Sequence, residues 1–107
     1  MSSKNYVKGR AFEYRTQNYL RKKGYYVLRA YASKGVYDLL AVPPFHEEVK
    51  DKWTLGIQCK TNGYLPPSER KRFDEVKDKW CIWSVLAFKE DRKLRFKDMR
   101  TQEMLVI

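Results

Sequence analysis

Apolar positions along the chain follow two periods, and the switches between them predict the elements. From about Ser3 to Lys23, Phe12, Thr16, Tyr19 and Leu20 recur at helical spacing and form an inward stripe. Ser2 or Ser3 supplies an N-cap, and Gly24 stands where a helix takes its C′ residue. Arg21, Lys22 and Lys23 sit at the negative end of that helix's dipole. The pattern then becomes aromatic and β-branched, predicting a strand over Tyr25–Ala32, a turn at Ser33-Lys34-Gly35 and a strand over Val36–Val42. Pro43-Pro44 stops the second strand and opens a polar loop. Trp53–Lys60 is a third strand. After a loop over Thr61–Pro67, a helix over Ser68–Lys79 presents Phe73, Val76 and Trp80 as one stripe, with Pro67 at its start.

The nearly unbroken apolar run Cys81–Phe88 predicts a strand covered on both faces. Glu90-Asp91-Arg92 turns the chain, and Leu94 and Phe96 alternate with charge as on a half-exposed edge strand. The closing Met104-Leu105-Val106-Ile107 packs back on the body or onto a partner. The predicted order is helix, three strands, helix, two strands. Strands before and after a crossover helix imply an α/β fold: a mixed sheet of about five strands flanked by helices. No repeat, linker or low-complexity tract interrupts it, so residues 1–107 read as one domain.

Charge changes the picture. Lys and Arg number 23 against 13 Asp and Glu, a formal net charge of +10 on 107 residues. So basic a chain favours a polyanionic partner, nucleic acid before an anionic membrane surface, because no basic amphipathic helix lacks a place in the core. The two cysteines, Cys59 and Cys81, fall in apolar runs where a free thiol acts as a small hydrophobe. Without a CxxC or Cys/His cluster, and with His46 alone in a polar loop, the pattern argues against zinc. Neither a signal-type h-region nor a membrane-spanning stretch is present, so a cytoplasmic protein is expected.

Chemistry concentrates at four positions. Asp38 interrupts an apolar strand, where an aspartate is costly unless paired or bound to a metal; capping a turn or pairing with Lys34 are its simpler fates. Gln58 and Lys60, two residues apart, project from one face of the third strand, with Ile57 and Cys59 on the other. Lys60 alone reads equally as a solvated strand end. Glu13, on the first helix, reads alone as a surface partner of Arg10 or Gln17. Together they match metal-assisted phosphodiester hydrolysis, which needs hard oxygen ligands, a positioned water and a cation near the developing charge. Asp38, the Gln58 side-chain oxygen and the Cys59 backbone carbonyl would ligate, and Lys60 would orient the water and stabilise the transition state.

Lys8-Gly9-Arg10-Ala11-Phe12-Glu13, Arg29-Ala30-Tyr31-Ala32-Ser33, Tyr37-Asp38-Leu39-Leu40-Ala41 and Ile57-Gln58-Cys59-Lys60 resemble, in that order, the motifs of the archaeal Holliday-junction resolvases. These are structure-selective endonucleases of the PD-(D/E)XK superfamily, found in archaea and some of their viruses. The resemblance spans roughly residues 8–98. It implies a restriction-endonuclease-like fold, Mg²⁺ with Mn²⁺ as substitute, and a homodimer that cuts opposed strands of a four-way junction. By motif, Glu13 matches the helix glutamate, possible as a ligand through water. Asp38 matches the metal aspartate, Lys60 the catalytic lysine, and Ser33 a serine that assists cleavage in some members. Two departures stand out: Val36-Tyr37-Asp38 lacks the proline of the motif, and Gln58 occupies the second acidic position. The competing readings are a non-catalytic DNA-binding relative and a nuclease for flaps, nicks or ends. Lys4, Lys8, Arg10, Lys34, Arg70, Lys71 and Arg72 flank the site as phosphate contacts, and Gly9 and Gly35 either permit close backbone approach or are simply a helix-start and a turn glycine. Nothing resembles a base-reading helix, so DNA shape is the expected determinant.

Overall fold

A computed structural model describes residues 2–30, 35–45 and 52–107, with side chains from Gly9 onward. Helix α1 spans Ser2–Lys22. It closes on Gly24, whose φ of 94° suits a residue without Cβ. The Gly24 N–H reaches Arg21 O at 2.9 Å and the Tyr25 N–H reaches Leu20 O at 3.1 Å, the paired bonds of a Schellman ending. Strands β1 (Tyr26–Arg29), β2 (Leu39–Val42) and β3 (Thr54–Cys59) follow, then helix α2 (Pro67–Val76) and strands β4 (Ile82–Glu90), β5 (Lys93–Asp98) and β6 (Met104–Leu105). They form one six-stranded sheet in sequence order. Only β3 and β4 run parallel, because α2 carries the chain back between them; the other neighbours are antiparallel.

The helices cover opposite faces of the sheet. Strand alternation sends Leu55 and Ile57 toward α1, where they pack with Phe12, Leu20, Val27, Val85 and Phe96. Leu86 points the other way and packs with Phe73 of α2 and with Met99. Phe73 is fully buried, and its replacement by Ala would cost about 3–5 kcal/mol.

Three details depart from expectation. The sheet gains a sixth strand because the C-terminal tail turns back: Met104 and Leu105 pair with Lys97 and Phe96. The Tyr19 hydroxyl also donates to Ile107 O at 2.7 Å, tying that tail to α1. β5 is therefore interior rather than an edge. Helix α2 stops at Val76, so Trp80 lies beyond it and is exposed. Cys81 precedes β4 and is also exposed, not a core hydrophobe. Among the described residues no helix is long and apolar enough to cross a membrane.

Candidate active site

Asp38 occupies a break in the β2–β3 ladder. The register pairs Leu39 with Ile57, yet the Asp38 N–H also donates to Ile57 O at 2.8 Å. Two residues against one is the count of a β-bulge, which re-aims a side chain. Toward β1 the ladder is intact, with the Ala30 N–H donating to Asp38 O at 2.8 Å. The Asp38 side chain then takes the place of a ladder carbonyl: its Oδ2 accepts the Cys59 N–H at 2.8 Å. The preceding residue is anchored from the α2 side, where the hydroxyls of Tyr37 and Ser84 lie 2.6 Å apart. Gly56 makes room for that ring; a Cβ there would stand 2.8 Å from Tyr37 ring carbons.

Burial raises the Asp38 carboxyl above the ordinary carboxylate range, against the Cys59 N–H that stabilises its anion. The charges of Glu13 and Glu69 push it further up and that of Lys60 pulls it down, so all three side chains act on Asp38.

Gln58 and Lys60 share the α2 face, as their spacing predicts, and both meet Glu69. Gln58 Nε2 donates to Glu69 Oε1 at 3.1 Å. Lys60 Nζ lies 3.0 Å from Glu69 Oε1 and 2.9 Å from Oε2. Gln58 is 6% exposed, and among the described residues its Oε1 is buried without a hydrogen-bond partner. An orphaned buried acceptor costs about 1–3 kcal/mol and marks a place where water or an ion belongs. Sequence reading did not single out Glu69. The signal available was its position: an acid in the first turn of a crossover helix, beside the end of the strand just left.

The ion pair described for Glu13 goes to β1 rather than along its own helix. The Glu13 Oε1 accepts from Arg29 Nε of β1 in that pair. Cys59 turns its thiol toward the core, where burial first, and the Asp38 charge second, drive its pKa far up. It is an inert side chain whose backbone serves the site. Among the described residues no three His, Cys, Asp or Glu side chains gather closely enough to hold a metal ion. What Asp38, Gln58 and Cys59 can offer a metal instead are oxygens of mixed kinds: a carboxylate, an amide and a backbone carbonyl.

Beside the site lies a cleft of about 620 Å³ lined by Gly9, Cys59, Lys60, Thr61, Asn62, Lys89 and Arg92. Lys89 and Arg92, at the β4–β5 turn, are basic residues that sequence order alone did not bring to the site; β4 delivers them because it runs parallel beside β3. Gly9 sits within α1 rather than at its start, and a Cβ there would meet nothing within 4 Å among the described residues. Among the described residues a Cβ at Gly35 would likewise meet nothing within 4 Å. Arg10 lies over the Tyr14 ring. Arg70 is committed to structure: its Nη1 donates to Met99 O at 2.7 Å and its guanidinium covers the Phe73 ring. Lys71 and Arg72 are exposed on α2. Ser33 and Lys34 lie outside the described residues, as do the side chains of Lys4 and Lys8.

No family model matches the sequence. No curated protein matches it either. A solved structure does: Hjc, a Holliday junction resolvase from the archaeal hyperthermophile Archaeoglobus fulgidus. The two share a TM-score of 0.64 and 21% identity, over 87% of this chain and 74% of that one. The mixed sheet with its two helices is thus the fold of that nuclease.

Proposed function

We propose that the chain is a divalent-metal-dependent endodeoxyribonuclease for branched DNA, four-way junctions above all, working as a homodimer. The observation that carries this reading is the buried Gln58 oxygen, orphaned among the described residues, on a resolvase-like fold that also holds half-buried Asp38 and tethered Lys60 on the neighbouring positions.

The donor set fits a hard cation, since every group is an oxygen and one of them lacks any other partner among the described residues. Asp38, Gln58 and the Cys59 carbonyl would hold it, with Glu13 reaching it through water. Bound Mg²⁺, or Mn²⁺ in its place, supplies Lewis-acid polarisation of the phosphate and an acidified water. Lys60 would face the phosphate as negative charge develops there and orient the attacking water. The cleft with Lys89 and Arg92 holds flanking phosphates, and open space at Gly9 lets the backbone of DNA come close to α1. Paired cuts across a junction need two active sites. The described residues of one chain offer one candidate site, so a second copy is required.

Asp38→Asn and Lys60→Ala should each abolish cleavage while junction binding survives. Normal cutting by both variants would remove the assignment. A second reading is a DNA-binding protein without catalysis. It is favoured by the neutral Gln58 and by the absence, among the described residues, of a carboxylate cluster that could grip a metal. Calorimetry with Mn²⁺ separates the two, because a purely architectural binder has no use for Asp38-dependent metal binding.

A further inference from the structure

We infer that Glu69 is a positioning residue that fixes the Gln58 amide with its oxygen as the open donor, so that a neutral side chain serves where a carboxylate would orient itself. The inference rests on the metal-site reading above. A carboxylate presents either oxygen to a metal and needs no outside help. An amide has one oxygen and one nitrogen, and a half-turn about its last torsion replaces a ligand with a donor. Glu69 removes that ambiguity. An ionised carboxylate only accepts hydrogen bonds, so the Gln58 NH₂ must face it, as it does at 3.1 Å. Oε1 is then turned away from Glu69, buried and, among the described residues, unpartnered.

The same carboxylate holds Lys60 through both oxygens, at 3.0 and 2.9 Å. Glu69 thereby sets two side chains at once and restores to the site the negative charge that Gln58 lacks. The fold makes it rigid. Pro66 and Pro67 fix where α2 begins, the Arg70 N–H closes on Pro66 O at 2.9 Å, and Arg70 ties the helix to Met99. Glu69 is accordingly held in the first turn of α2, in contact with Gln58 and Lys60 at the end of β3.

The test measures Mn²⁺ affinity without DNA, by calorimetry and by the loss of free-Mn²⁺ paramagnetic signal, in wild type, Glu69→Gln, Gln58→Glu and the double variant. Thermal melts run in parallel. Loss of an orienting partner weakens metal binding about 10–100-fold, so Glu69→Gln should bind at least about 10-fold more weakly than wild type. In the Gln58→Glu background, whose carboxylate needs no orientation, the same substitution should change affinity by less than about 3-fold. Equal weakening in both backgrounds would show that Glu69 does not act through Gln58 and would overturn the inference, as would unchanged affinity in Glu69→Gln. Wild type that binds no Mn²⁺ sinks the metal-site reading as well, so the two failures are distinct. If Glu69→Gln does not fold, wild type decides by NMR. Mg²⁺ should shift the Gln58 side-chain amide signals while its Nε2 protons stay protected by Glu69; an amide that ignores Mg²⁺ contradicts the inference.

Discussion

Gly56→Ala probes how the sheet holds Asp38 from a distance. The new Cβ would stand 2.7 Å from Ile82 Cγ2 and 2.8 Å from two Tyr37 ring carbons. Carbon contacts are comfortable at about 3.5–4.0 Å, so the neighbours must retreat by about 1 Å. Ile82 can turn, but the Tyr37 ring can withdraw only by giving up its 2.6 Å bond to buried Ser84. Overpacking costs about 1–3 kcal/mol and the lost hydrogen bond about 1 kcal/mol. Replacing glycine gains about 0.4–1 kcal/mol through the unfolded chain. The net expectation is a loss of about 1–3 kcal/mol. At about 4–8 °C per kcal/mol for a domain near this size, a melt followed by circular dichroism should fall by at least about 4 °C. Mn²⁺ affinity should fall too, since Tyr37 is the neighbour of Asp38. In a Tyr37→Ala background the ring is gone, and Gly56→Ala should be far cheaper. A melt unchanged from wild type, or an identical cost in both backgrounds, would refute the packing argument.

Asp38→Asn keeps an oxygen for the Cys59 N–H but removes a charge that burial disfavours. It should melt higher than wild type at neutral pH while losing metal affinity, a stability–function trade-off visible in one pair of melts. The sign with pH follows: a carboxyl whose folded pKa is raised binds protons more readily in the native state, so its contribution to stability falls as pH rises from the ordinary aspartate value through the raised one. That component should vanish from the pH–stability curve of Asp38→Asn. Lys89→Ala and Arg92→Ala should each lower the slope of log affinity against log salt for DNA by about 1, with melting unchanged; an unaltered slope would remove the cleft from the binding path.

The elements were legible because each carries its own period. Phe12, Thr16 and Leu20 mark the buried stripe of α1, and Gly24 ends it where a left-handed residue was required. Gln58 and Lys60 share a face because alternation demands it. What a local pattern cannot show is what the crossover brings together. Glu69 lies among helical charges that look alike in sequence; only the return of α2 over β3 selects it. Arg70, its neighbour, looks equally suited to phosphate, yet packing gives it to Met99 and Phe73. The break at Asp38 was invisible for a similar reason, since the bulge is a relation between two strands, not a property of either. β6 is only Met104 and Leu105, too short to declare a period, and its pairing turned an apparent edge into an interior strand.

The most direct measurement is cleavage of a labelled four-way DNA junction beside a matching linear duplex, with Mg²⁺, Mn²⁺ or chelator. Paired, symmetric nicks in the junction alone, lost with chelator and in Asp38→Asn, are the predicted result. Tight junction binding without a cut in either metal would contradict the catalytic reading and leave a DNA-binding protein built on a nuclease fold.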